Sequence, residues 1–269
     1  MFILLLLTLA YIQYKHILFC EFIRFSSFYK LHENVYVSPG IPMEHKRRIL
    51  IMLQSAEYRI RDFWRERRGN ARVIICSNPE EYQKYCHSKE GAGCSLGTLY
   101  GSTFIVLNYR DMNTDVIAHE MSHIELFQRL GWKTTTFDIP QWFNEGLAMM
   151  LDRRFVKTTD SVSRYEYYLE AWHQKTKPPA KRLTLGEIST LKGFFDGDDR
   201  HIALAYITAA TEVSFWLKNV GRRGLIEFLE KTGRKEGFQV YYELEKAALS
   251  STKNPSNPIR ELEKMIPGE

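Results

Sequence analysis

Residues 114–150 read TDVIAHEMSHIELFQRLGWKTTTFDIPQWFNEGLAMM, and the architecture of the chain turns on how this stretch divides. Asn113 or Thr114 supplies the oxygen that caps a helix, and Gly131 supplies the residue on which that helix stops, so a helix is predicted from about 114 to Leu130. A nine-residue connector leads to Pro140, which opens a second helix to about Asp152. On the first helix His119 and His123 stand four residues apart and project from one face, one turn from each other. Both imidazoles can therefore reach a single ion, while Glu120, beside the first, leans toward a water on that ion.

Zinc in a catalytic site takes three protein ligands and keeps a fourth position open, so a third ligand is needed. A ligand supplied by the same motif would require a glycine at position 126 and a histidine at position 129. The chain has Leu126 and Arg129 there, which excludes the metzincin arrangement. The next helix offers Glu145 within Gln141-Trp142-Phe143-Asn144-Glu145-Gly146-Leu147-Ala148. Asp138, in the connector, is the competing ligand. A glycine inside a helix costs about 1 kcal/mol relative to alanine. Gly146 is therefore expected where this helix comes close to the histidine helix.

Working outward, Thr103–Asn108 (TFIVLN) is apolar and β-branched and reads as a strand. Before it, Gly91–Gly97 reads as a loop, Asn78-Pro79 starts a helix to about Tyr85, and Ala71–Cys76 is a buried strand. Residues 43–68 form an amphipathic helix whose apolar face is Ile49, Leu53, Ala56, Ile60 and Phe63, and Asn34–Ser38 alternates like a short strand. Downstream, helices are expected near 164–174, 203–219, 222–232 and 236–249, with loops over the rest of 157–200 and a short tail helix after a polar Ser-Asn-Pro segment. The order is α+β: a small mixed sheet and a pair of zinc-binding helices, then a helical C-terminal part.

The 269 residues are 44% hydrophobic and 26% charged with a net charge of only +5, which describes a globular chain and excludes a disordered one. Basic and acidic residues are interleaved and no nucleic-acid-binding motif is present, so no nucleic-acid partner is expected. The four cysteines form no Cys-x-x-Cys pair, so cysteine-based metal binding is not expected; Cys86 and Cys94 flank a short loop and fit either a disulfide or two free thiols. Residues 2–12 are almost purely apolar, and a second apolar stretch after Lys15 and His16 extends the run to Ile23. Residues 1–23 are expected to be an N-terminal membrane segment, single-pass or anchoring. Lys15, Arg24 and Lys30 behind the apolar run favour a cytoplasmic remainder, but the side holding the catalytic domain is left open.

The HEMSH sequence followed by IPQWFNEGLAMM resembles the gluzincin clan of zinc peptidases, the group of thermolysin and the aminopeptidase N type, and is nearest to peptidase MA-like proteins. The similarity covers about half the chain, from Thr103 to Phe238. It implies a thermolysin-like catalytic domain over 31–269, with sheet and zinc helices in 31–155 and helices in 156–269. It also implies one zinc ion on His119, His123 and Glu145, with Glu120 as general base. The strand ahead of the zinc helix, Thr103–Asn108, is implied to be an edge on which extended substrate pairs. In the aminopeptidase N type a tyrosine on a later helix stabilises the oxyanion. Here Ala205-Tyr206-Ile207-Thr208-Ala209-Ala210 is similar, which makes Tyr206 the candidate, although its apolar stripe with Ala210, Val213 and Leu217 fits a core role equally. Tyr165, Tyr167, Tyr168, His173 and His201 stand in reserve. The aminopeptidase motif that captures a substrate amine is absent from Gly101-Ser102-Thr103-Phe104-Ile105, so the expected activity is endopeptidase cleavage of peptide or protein substrates. The alternative is a zinc-binding membrane protein without hydrolytic activity, acting as a scaffold for partners.

Overall fold

In the computed structural model, residues 14–86, 91–177, 182–250 and 259–260 are described. The chain divides into two compact units, residues 1–128 and 129–269.

The first unit is built on a five-stranded mixed sheet. Strands β1 (Tyr29–His32), β2 (Val35–Val37), β3 (Arg72–Cys76), β4 (Gly93–Gly97) and β5 (Thr103–Asn108) lie in the order β1-β2-β3-β5-β4. β2, β3 and β5 run parallel, and β1 and β4 close the two ends antiparallel. The β-branched residues of β3 and β5 are buried on both faces, as strands in the middle of a covered sheet must be. Ile74, Cys76, Phe104 and Val106 face a cluster formed with Tyr82 and Tyr85 of helix α3 (Pro79–Cys86). On the other face Val73 and Ile105 meet Ile60 of α2 (Lys46–Trp64) and Met121 and Ile124 of α4 (Thr114–Phe137). The apolar stripe of α2 is Ile49, Leu53, Ala56 and Ile60 as the spacing predicts, completed by the buried Trp64 in place of Phe63. The helix ends at Arg65, whose φ of 66° is left-handed.

Two sequence expectations fail here. Thr103–Asn108 is no edge: β5 pairs with β3 on one side and β4 on the other, and β4 is the end strand. Gly91–Gly97 is largely strand, although two glycines and a serine in five residues depress strand propensity.

The N-terminal membrane assignment is also corrected. Among the described residues no helix is long and apolar enough to cross a membrane. Helix α1 covers residues 14–21 and a 3-10 turn follows at Ile23–Phe25. Cys20 and Ile23 are fully buried and join Phe28 in the cluster on the β3 and β5 face. Arg72 of β3 donates to the backbone oxygens of Cys20 and Glu21 at 3.0 and 3.1 Å and pairs with the Glu21 carboxylate at 3.4 Å. Cys20 and Ile23 are thus committed to the protein core, while Tyr14, Leu18 and Phe22 are exposed; of the residues that interrupt the apolar run, Lys15 is exposed and His16 half-buried. The part of the proposed segment from 1 to 13 lies outside the described residues.

The second unit is helical: α5 (Gln141–Met149), α6 (Ser161–Lys175), α7 (Leu191–Phe195), α8 (Asp199–Gly233) and α9 (Val240–Ser250). The short α7 falls in a stretch read from the sequence as loop. α8 joins two predicted helices across a break at Gly221, whose φ of 65° is open to glycine without strain. Its core is aromatic. Phe143 meets Phe228 with ring centroids 5.0 Å apart, and Trp216 stacks on Tyr241 at 4.7 Å while its indole N–H donates to the Tyr241 carbonyl at 3.0 Å. At the far end of this core Arg260 pairs with the buried carboxylates of Glu212 and Glu245, and Tyr241 donates its hydroxyl to Glu212 at 2.9 Å.

Because Ile23 is fully buried in the cluster on the β3 and β5 face, Ile23→Ala should lower the unfolding free energy of the chain by about 2–5 kcal/mol. Urea denaturation followed by tryptophan fluorescence measures this. A change below about 0.5 kcal/mol, the scale of a surface substitution, would show that Ile23 does not pack as described.

Candidate metal centre

The site begins with the cap of α4. The Asn113 side chain accepts from the backbone N–H groups of Asp115 and Val116 at 2.9 and 3.0 Å, which fixes the start of the helix and thereby its register. His119 and His123 then fall one turn apart, their rings perpendicular with centroids 4.9 Å apart. His119 and Glu120 are buried and His123 is half-buried. Glu125, one turn beyond Met121, is fully buried and accepts from the backbone N–H groups of Arg68 and Gly69, tying the same helix to the turn after α2. The α-helical run breaks at Gly131 (φ 80°), as expected, but helical residues resume and continue to Phe137 where a connector was predicted.

Glu120 is held by a residue that the sequence reading missed. The Ser95 hydroxyl on β4 lies 2.6 Å from Glu120 Oε2 and 2.9 Å from the Glu120 carbonyl oxygen, so it donates to one or shares its proton between them. The strand reaches this position because of its glycines. A Cβ at Gly93 would stand 2.9 Å from Glu120 Cγ and 3.1 Å from Val116 Cγ1, and one at Gly97 only 2.1 Å from the Phe127 ring. Val116, Glu120 and Phe127 share one face of α4, so glycine at 93 and 97 is what lets β4 lie along it. That was the available signal: glycines at alternate positions on one side of a strand, spaced like a helical face opposite. Cys94, between them, is disulfide-bonded to Cys86 of α3, which resolves the two options open in the sequence. Cys20 and Cys76 are free and buried, and burial raises both thiol pKa values far above the ordinary range.

Glu145 sits on α5, which is clamped at both ends. At its start the Gln141 N–H donates to the Ser189 carbonyl at 2.8 Å. At its finish the buried guanidinium of Arg164 donates to the carbonyl of Met149 at 3.1 Å and also to those of Asp152, Val156 and Thr158. Gly146 admits a close neighbour, but not the one expected: a Cβ there would lie 2.5 Å from the Ala209 carbonyl oxygen and 2.6 Å from Val213 Cγ2, so the helix it accommodates is α8. The Gln141 side chain donates to Glu145 Oε1 at 2.7 Å.

His119, His123 and Glu145 each offer a ligand atom, and these atoms all lie within 4.8 Å of one another. Two imidazoles and a carboxylate so placed can hold a metal ion. Asp138 is exposed and is not part of this group. Tyr206 is half-buried, its ring edge-on to Phe194 at 5.0 Å and near Phe195 at 6.2 Å. Of the reserve residues, His201 is engaged with the Gly193 carbonyl at 2.8 Å, Tyr165 is buried edge-on to Phe215, and Tyr168 is buried with its hydroxyl 3.4 Å from the Met149 carbonyl. Tyr167 is exposed, and His173 rests edge-on to Trp172. A scan against protein-family models and a search of curated proteins return no match for the chain.

The close approach of α5 and α8 is open to test. Gly146→Ala should overpack the contact with Ala209 and Val213 and destabilise the protein by at least about 1–3 kcal/mol, read as a fall in Tm. An unchanged Tm would mean that the two helices do not approach so closely.

Proposed function

We propose that this chain is a zinc-dependent peptidase of gluzincin type with a thermolysin-like catalytic arrangement, cleaving peptide or protein substrates internally. The observation that carries the reading is the convergence of His119, His123 and Glu145 to within 4.8 Å, with Glu120 next in sequence to the first ligand. The donor set suits the ion: two nitrogens and one oxygen on buried or half-buried side chains match catalytic zinc, whose ligand atoms stand about 3.4 Å apart around a tetrahedral ion with bonds of about 2.1 Å.

Bound zinc supplies a Lewis acid that polarises a carbonyl and brings the pKa of water toward neutrality. The remaining chemistry belongs to the chain. Ser95 engages Oε2 of Glu120, which leaves Oε1 as the oxygen to take a proton from attacking water and pass it to the departing nitrogen. β4 pairs with β5 alone among the described strands, so its other edge is the place for an extended substrate to add as a further strand. Tyr206 is the proposed donor to the developing oxyanion, its ring set by the packing of Phe194 and Phe195. The alternative of a zinc-binding scaffold without hydrolysis would leave no purpose for a carboxylate held by a serine beside the ligands.

Glu120→Gln should retain zinc and fold yet lose hydrolysis of a random peptide library, because an amide cannot accept the proton. Undiminished cleavage by that variant would refute the mechanism, and no cleavage by the wild-type chain would favour the scaffold. Tyr206→Phe keeps the ring and should slow turnover about a hundredfold with little change in Tm. Near-normal turnover would return Tyr206 to a packing role.

A further inference from the structure

We infer that Gln141 is a positioning residue for the metal, orienting Glu145 and setting the affinity of the site; the inference rests on the metal reading above. Gln141 and Glu145 are one turn apart on α5, so their side chains stand over one another on the same face. The Gln141 amide nitrogen lies 2.7 Å from Glu145 Oε1. A carboxylate has about four lone-pair positions, so accepting this hydrogen bond removes rotational freedom while leaving the capacity to bind an ion. Glu145 is 5% exposed, so a carboxylate left to rotate there would have little water to compensate it.

Gln141 is itself fixed from behind. Its backbone N–H donates to the Ser189 carbonyl at 2.8 Å, and the segment that presents this carbonyl is braced by its own contacts. Thr184 and Glu187 cap each other, with the Thr184 N–H 2.8 Å from Glu187 Oε2 and the Glu187 N–H 3.2 Å from Thr184 Oγ1. The Ser189 hydroxyl donates to the Gly186 carbonyl at 2.8 Å. Gly193 lies so close to the Glu187 carbonyl oxygen that a Cβ would stand 2.0 Å from it, and the Gly193 carbonyl is engaged by His201. The braced turn, the first residue of α5 and the ligand one turn later are joined by two hydrogen bonds into a chain that ends on Glu145. Hydrogen bonds of this kind to ligating groups change metal affinity by about 10- to 100-fold when removed.

The test is zinc affinity, measured by competition with a chromophoric chelator on the full chain, together with the Tm of the metal-free protein. Gln141→Met preserves length and packing but removes the donor, and Gln141→Ala removes both. Both should weaken zinc binding by about 10- to 100-fold, and Gln141→Met, which removes one donor to a buried carboxylate but keeps the packing, should lower the metal-free Tm less than Gln141→Ala does. Zinc affinity within about threefold of wild type in Gln141→Met overturns the inference, as does a loss confined to Gln141→Ala, which would assign the effect to packing. Failure of the wild-type chain to bind zinc is a separate result that overturns the metal reading itself.

Discussion

Two imidazoles and a carboxylate can share one cation only if three side chains are delivered to one point with their rotations restrained, and on the metal reading proposed above the restraints on α4 and α5 serve that end. The cap at Asn113 and the grip of Glu125 on the turn at Arg68 and Gly69 fix the register of α4, and so the positions of His119 and His123. The hydrogen bond to Ser189 at one end of α5 and the Arg164 guanidinium at the other fix the helix of Glu145. Buried arginine is costly unless its donors are used, and Arg164 directs its guanidinium to four backbone carbonyls around the end of α5. Such rigidity suits a site whose ligands must not rearrange.

The parts of this arrangement that depend on local chemistry were legible in the sequence. The starts of α3, α4 and α5 follow from Asn78-Pro79, Asn113 and Pro140, the break inside α4 follows from Gly131, and the burial of α2 follows from the spacing of Ile49, Leu53, Ala56 and Ile60. The β5 strand was evident from its β-branched residues. What was hidden depends on contacts between residues distant in the chain. β4 looked like a loop because its glycines answer to a helix more than twenty residues away, and Ser95 had no recognisable role until that strand was placed against Glu120. Gly146 is a close-contact residue, but the helix it accommodates is α8, where the sequence pointed to the histidine helix. Gln141 lay within the motif already under scrutiny, and its spacing from Glu145 was the signal for it.

The N-terminal residues show how far composition alone can mislead. An apolar run through Ile23 suggests lipid when read by hydropathy, yet Cys20 and Ile23 pack in one cluster with residues of β3, β5 and α3, and Arg72 donates to the backbone carbonyls at the end of α1. Interior protein and bilayer both exclude water, so hydropathy cannot distinguish them. The distinction comes from Glu21 and Arg72, which pair at the rim of that core.

The central claim is that His119, His123 and Glu145 form one zinc site. It is tested most directly by elemental analysis of the purified chain beside its Glu145→Ala and Asp138→Ala variants. The account predicts one zinc per chain in the wild type and in Asp138→Ala, and its near-complete loss in Glu145→Ala. A wild-type chain without stoichiometric zinc, or a Glu145→Ala chain that keeps it, would contradict the account.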